Sequence, residues 1–155
     1  MSDRRGVSPI LGVLLLLALT VCLATVVAVG LGGWSPESAG PNATFELSAD
    51  ADGSSIALEH VAGDPIDVEA LSVTIAINGT ELSAQPPVPF VGASGFRGTP
   101  DGPFNARTES EWTPGEEAGV SVAETNTPTL EAGDSVTVTL VVDGRRIAEL
   151  ETTAT

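Results

Sequence analysis

Residues 6–34 read GVSPILGVLLLLALTVCLATVVAVGLGGW, and the thiol of Cys22 is the one ionisable side chain among them. At about 1.5 Å per residue, the segment from Val7 to Trp34 makes a helix of roughly 42 Å, against an apolar bilayer core of about 30 Å. Lipid offers backbone amides and carbonyls no partners, whereas a helix satisfies them internally. The stretch is therefore expected to be a single membrane-spanning helix over residues 7–34. Pro9 is compatible with such a helix because it falls in the first turn, where a missing N–H has no partner to lose.

The flanks orient the helix. Arg4 and Arg5 stand directly before the apolar run. Basic flanks stay in the cytoplasm, which places the N-terminus inside and everything after Trp34 outside. Two cleaved-signal readings fit less well. A secretory signal ends at a small-residue site, here Ala28-Val29-Gly30, but this apolar run is too long and continues past it. A lipoprotein signal wants a small residue before its modified cysteine, and Val21 precedes Cys22.

Arg5-Gly6 followed by Val7-Ser8-Pro9-Ile10-Leu11-Gly12-Val13-Leu14 resembles the N-terminal signature of archaeal type IV pilins, especially those of salt-loving archaea: R-(A/G)-V-S-P-(V/I)-(I/L)-G-V-(I/L). The resemblance implies that prepilin peptidase, a membrane aspartyl peptidase, removes residues 1–6 as a basic leader by cutting between Gly6 and Val7. It further implies a hydrophobic rod with a globular head, which leaves the bilayer only by packing against other pilin subunits, identical or related. Leu11 would be the fifth mature residue, where many bacterial pilins carry glutamate and archaeal members do not. In a packed filament core, the small residues Gly12, Ala18, Ala24 and Ala28 would set how closely helices approach. The rival reading is a monomeric, single-pass membrane-anchored surface protein with a ligand-binding β domain.

Charge describes the exterior part. Twenty of the 21 acidic residues follow Trp34, against four arginines, for a charge near −16, and the chain has no lysine. Such a surface repels itself in dilute salt, whereas at molar salt the Debye length shrinks to about 3 Å. This is the composition of a halophilic protein. Nucleic acid is excluded as a partner by like charge. Cys22 is the sole cysteine and sits in the apolar run, so neither a disulfide framework nor a thiolate metal site is available.

After the helix, Gly30, Gly32 and Gly33 cluster where the chain should leave the membrane, and Trp34 suits an interfacial ring. Residues 35–42, SPESAGPN, form a linker of turn residues. The rest, 43–155, is long enough for one extracellular domain. Phe45 and Leu47, Ile56 and Leu58, the set Leu71, Val73, Ile75 and Ile77, and the set Val136, Val138, Leu140 and Val142 all recur with period two, as half-buried strands do. Asn78-Gly79 and Asp143-Gly144 are hairpin signals, followed by strands at Thr80–Ser83 and Arg145–Glu151. A further strand is expected at Gly119–Glu124. The fold class is thus one N-terminal transmembrane α-helix followed by an all-β, sandwich-like domain of six to eight strands. One segment, residues 84–118, shows neither period and reads as a long loop. Its aromatics, Phe90, Phe96, Phe104 and Trp112, either fold the loop onto the sandwich or form an exposed adhesive surface.

Reactive groups are sparse. His60 shares strand parity with Ile56 and Leu58 and has no second nitrogen ligand and no nucleophile beside it, so it reads as a structural, hydrogen-bonded residue. The segment from His60 to Asp64 is similar to an H-x-x-G-D pattern of haloarchaeal pilin heads, which implies a turn between strands. Gly133-Asp134-Ser135 superficially resembles a hydrolase motif but opens a strand, making Asp134 a turn residue. Glu116-Glu117 reads as solvated. No catalytic, cofactor-binding or metal-ligating residue is assigned, and an enzyme is not expected. Asn42-Ala43-Thr44 and Asn78-Gly79-Thr80 are N-glycosylation sequons, so Asn42 and Asn78 are candidate glycan carriers in an exported domain. The function expected is a structural pilin, resident in the cell membrane until assembled into a surface filament for adhesion or attachment.

Overall fold

The computed structural model describes residues 4–32 and 40–155, which belong to two separate units, an N-terminal helix and a head that begins at Gly40. Helix α1 runs Arg4–Gly32. Its stretch Val7–Gly30 is long and apolar enough to cross a membrane, and none of it is buried. The two threonines inside it solve their own hydration problem: Thr20 Oγ1 donates to the Leu16 carbonyl and Thr25 Oγ1 to the Val21 carbonyl, each at 2.7 Å. Back-bonding of this kind keeps a hydroxyl satisfied where water is absent.

The helix begins earlier than the apolar pattern predicts. Arg4, Arg5 and Gly6 are helical, so Pro9 is an internal proline and not a first-turn residue as the sequence suggested. Arginine is a good helix former, and one proline removes only one backbone bond, so Arg4–Gly6 can continue the helix N-terminally. At the other end Gly32 is the last helical residue; Trp34 and most of the 35–42 linker lie outside the described residues.

The head is built of antiparallel strands. In chain order they are β1 (Ala43–Asp50), β2 (Ser55–Gly63), β3 (Ile66–Asp67), β4 (Leu71–Ile77), β5 (Thr80–Glu81), β6 (Glu111–Trp112), β7 (Glu117–Ser121), β8 (Ser135–Val142) and β9 (Arg145–Thr153). One sheet has the order β1-β2-β7, another β5-β4-β8-β9, and β3 pairs with β6. The apolar faces meet in one core. Phe45 and Ala49 of β1, Ile56 and Leu58 of β2 and Val120 of β7 belong to the same buried cluster as Val73, Ile75, Val138 and Leu140. Strands β4 and β8 carry the alternation most fully: every second residue from Leu71 to Ile77 and from Val136 to Val142 is buried. The nine strands among the described residues exceed the expected six to eight. The excess lies in the two-residue pieces β3 and β6, too short to show a period.

Both hairpins form where expected. Asn78 and Gly79 have φ of 51° and 80°, Asp143 and Gly144 φ of 49° and 78°, the left-handed pair whose twist suits a two-residue connection. Strand β5 stops at Glu81 instead of Ser83, and Gln85 explains why. Its Oε1 accepts from the Ile75 N–H at 2.8 Å, and its Nε2 donates to the Ile75 and Leu82 carbonyls at 2.9 and 3.0 Å. A side-chain amide thus takes the place of the next strand residue at this edge.

Residues 84–118 are not the structureless loop their composition suggests. They wrap the free edge of β7: Asp101 and Gly119 exchange both backbone hydrogen bonds and Arg97 N–H reaches the Ser121 carbonyl at 2.8 Å, while within the segment Phe90 N–H reaches the Phe104 carbonyl at 2.9 Å. A covered edge cannot template pairing with another chain. All four aromatics are buried, Trp112 completely, so they hold the loop to the sandwich and present no adhesive surface. Strand β7 begins at Glu117 and ends at Ser121, two to three residues before the Gly119–Glu124 expected, because Phe96 takes over pairing at Val122.

Candidate assembly helix and the pinned head

The surface of α1 is apolar and exposed. Ile10, Leu15, Val26 and their neighbours expose more than half of their area. Thr20, Leu23, Ala24, Val27 and Ala28 line a shallow apolar groove. Residues 20, 24 and 28 are four apart, so they form a row of small side chains flanked by Leu23 and Val27. The sequence grouped Gly12 and Ala18 with Ala24 and Ala28. The helix separates them: at 3.6 residues per turn Gly12 and Ala18 each lie about 120° from Ala24, on opposite sides. A Cβ added at Gly12 meets nothing within 4 Å, so its smallness serves no contact inside the chain. The Gly6–Val7 bond lies within the helical backbone, and the Val7 side chain is half exposed.

His60 is part of an aromatic cluster in the head, centred on Trp112. It is fully buried, with Phe45 and Trp112 rings 5.0 and 5.7 Å away and Phe104 stacked edge-on to Trp112 at 5.3 Å. The His60 Nδ1 lies 3.0 Å from the Trp112 carbonyl. The backbone continues the attachment: His60 N–H donates to the Glu116 carbonyl at 3.0 Å, and Gly115 N–H to the His60 carbonyl at 2.7 Å. Glu116 does more than face solvent, since its Oε2 accepts from the Thr113 amide and hydroxyl at 2.8 and 3.0 Å and closes the same turn. His60 is thus structural, as its parity implied.

The segment from His60 to Asp64 is not a turn as a whole: His60 to Gly63 belong to β2, and only Asp64 and Pro65 connect it to β3, a short link that fastens the head's first residues. Asp64 N–H donates to the Asn42 carbonyl, and Asn42 N–H donates to Asp64 Oδ2, both at 3.0 Å. Gly63 sits at φ 111°, and a Cβ there would lie 2.3 Å from the Asn42 carbonyl oxygen. Only glycine fits this crossing.

The two sequons differ. The Asn42 carboxamide makes no hydrogen bond among the described residues, while its backbone is held by Asp64. Asn78 spends both ends of its amide: Nδ2 donates to Asp134 Oδ1 at 2.8 Å and Oδ1 accepts from Ser135 N–H at 3.0 Å. Asp134 is a turn residue as expected, its other oxygen accepting from Glu131 N–H at 2.8 Å.

Asn126, which the sequence does not single out, is the buried polar hub of the long loop. Its Oδ1 accepts from the Ala84 and Thr127 amides at 3.1 and 3.0 Å, and its Nδ2 donates to the Ala84 and Gly95 carbonyls at 2.9 and 3.2 Å. No periodicity marks such a residue.

Residues 5–45 match the family model described as Archaeal Type IV pilin, N-terminal. The chain is also similar to an uncharacterized protein of Archaeoglobus fulgidus, 37% identical over 83 residues, covering 52% of this chain and 57% of that protein. The chain thus spans little more than half the length of the relative it matches.

Proposed function

We propose that the chain is a pilin-like structural subunit, a reading supported by the match of residues 5–45 to the family model described as Archaeal Type IV pilin, N-terminal. In this reading a prepilin peptidase cuts between Gly6 and Val7 while the N-terminus is cytoplasmic and the head outside. The mature subunit then polymerises through α1 with its own copies or related pilins into a surface filament used for attachment. The observation that carries the reading is the coincidence of the family match with a helix whose stretch Val7–Gly30 is long and apolar enough to cross a membrane. Such a stretch needs either lipid or other helices around it. The head supplies a rigid exterior with its aromatics turned inward. Of the two sequons, the unengaged carboxamide of Asn42 suits it better to carrying a glycan than Asn78.

Mass spectrometry of the membrane and sheared-filament fractions tests this reading. The expected mature chain begins at Val7. An intact Met1 in cells with active prepilin peptidase favours the monomeric anchor instead.

A further inference from the structure

The continuous helix raises a problem that the processing reading must meet. A peptidase acts on a bond whose backbone it can draw out, and a bond inside a helix is closed to it. In α1 the hydrogen bonds that a regular helix draws from residues 8, 9 and 10 to residues 4, 5 and 6 all span Gly6–Val7. Pro9 has no N–H, so the middle one, to the Arg5 carbonyl, cannot form, and the proline ring crowds that same carbonyl. Gly6 adds the weakest helix propensity of any residue except proline, on the other side of the same turn.

We propose that Pro9 is a positioning residue for leader removal, whose task is to leave the turn around Gly6–Val7 unstable enough to open to the peptidase. The inference rests on the processing reading above. Hydrolysis adds one water across the bond, leaving Gly6 as a carboxylate and Val7 as an ammonium group. Once the leader has gone, Pro9 becomes the third residue of the helix, within the first turn, where backbone N–H groups have no intrahelical acceptor. The residue that weakens the precursor helix therefore costs the mature helix almost nothing. Placed one or more turns further along, the same proline would weaken both.

The test uses the full-length chain and its Pro9→Ala and Pro9→Gly variants in membranes containing active prepilin peptidase, followed as loss of residues 1–6 over time. Cleavage should be fastest for proline, intermediate for glycine and at least about tenfold slower for alanine, in inverse order of helix propensity. In parallel, hydrogen exchange of the Ser8 and Ile10 amides in the detergent-solubilised chain without peptidase should slow by a similar factor in Pro9→Ala. Equal cleavage of all three overturns the inference. So does equally slow cleavage of both variants with unchanged exchange, which would assign the proline ring to direct recognition. Failure of the parent chain to be cut at all defeats the processing reading itself, and is distinguished by that from either result.

Discussion

His60 donates its Nδ1 proton to the backbone carbonyl of Trp112, 3.0 Å away and 52 residues later in the chain. A carbonyl can only accept, so Nδ1 bears the hydrogen, and Nε2 is buried with no hydrogen-bond partner among the described residues. The bond joins β2 to the segment that closes over it, and the rings of Phe45 and Trp112 pack around it.

His60→Ala should therefore destabilise the head by about 3 kcal/mol, the sum of a lost buried ring and one hydrogen bond. His60→Phe keeps the ring packing, loses the bond and removes the orphaned Nε2, so its cost should be nearer about 1 kcal/mol. Denaturant unfolding followed by Trp112 burial measures both. An unchanged midpoint for His60→Ala would contradict the structural role.

Asn126 lends itself to a local test. Asn126→Ala leaves the Ala84 amide and the Ala84 and Gly95 carbonyls without this partner in a buried place. The expected cost is about 2–4 kcal/mol, concentrated where the loop leaves β5. Hydrogen exchange should show protection lost first over residues 84–98, ahead of β4 and β8. Uniform loss across the head would mean that the loop and sandwich open together.

The acidic head should lose stability as salt is withdrawn. Twenty carboxylates face four arginines beyond the helix, and ion pairing as exposed as Arg146–Glu149, 2.6 Å apart, offsets little of that repulsion. Screening reaches over only about 3 Å at molar salt but about 30 Å at 0.01 M, so repulsion grows as salt falls. Unfolding midpoints of the detergent-solubilised chain from molar to millimolar salt should fall steadily, and a midpoint that holds or rises counts against halophilic adaptation.

What was legible in the sequence was what repeats. The apolar run gave α1, the period-two faces of β4 and β8 gave the core, and the two left-handed turns gave the hairpins, because each depends on neighbours along the chain. The long loop was opaque for the opposite reason. Its order comes from single side chains acting across long separations, Asn126 on Ala84 and Gln85 on Ile75, which leave no pattern. Pro9 misled in a different way: a proline that usually marks a helix start here lies inside one, since one missing bond does not end a helix whose neighbours favour it. The small residues of α1 are visible in the sequence, but the 100° step per residue of the helix separates them onto different faces.

That separation yields the last prediction. If α1 were only an anchor, any equally apolar surface would serve, and filling the groove at Ala24 and Ala28 would change nothing but hydrophobicity. If α1 is a filament core, neighbouring helices seat against the row Thr20, Ala24 and Ala28 between Leu23 and Val27 and can approach only because those side chains are small. Ala24→Leu with Ala28→Leu should leave the amount of protein in the membrane fraction unchanged, since both substitutions make the span more apolar. It should lower sheared filament yield at least about tenfold. Gly12→Leu with Ala18→Leu is the matched control, adding comparable bulk on two other faces, and should reduce yield less. Equal loss from both pairs would mean that the helix is packed all round, as the centre of a thick bundle would be. Normal yield from the Ala24 and Ala28 pair would show that the groove is not where the helices meet.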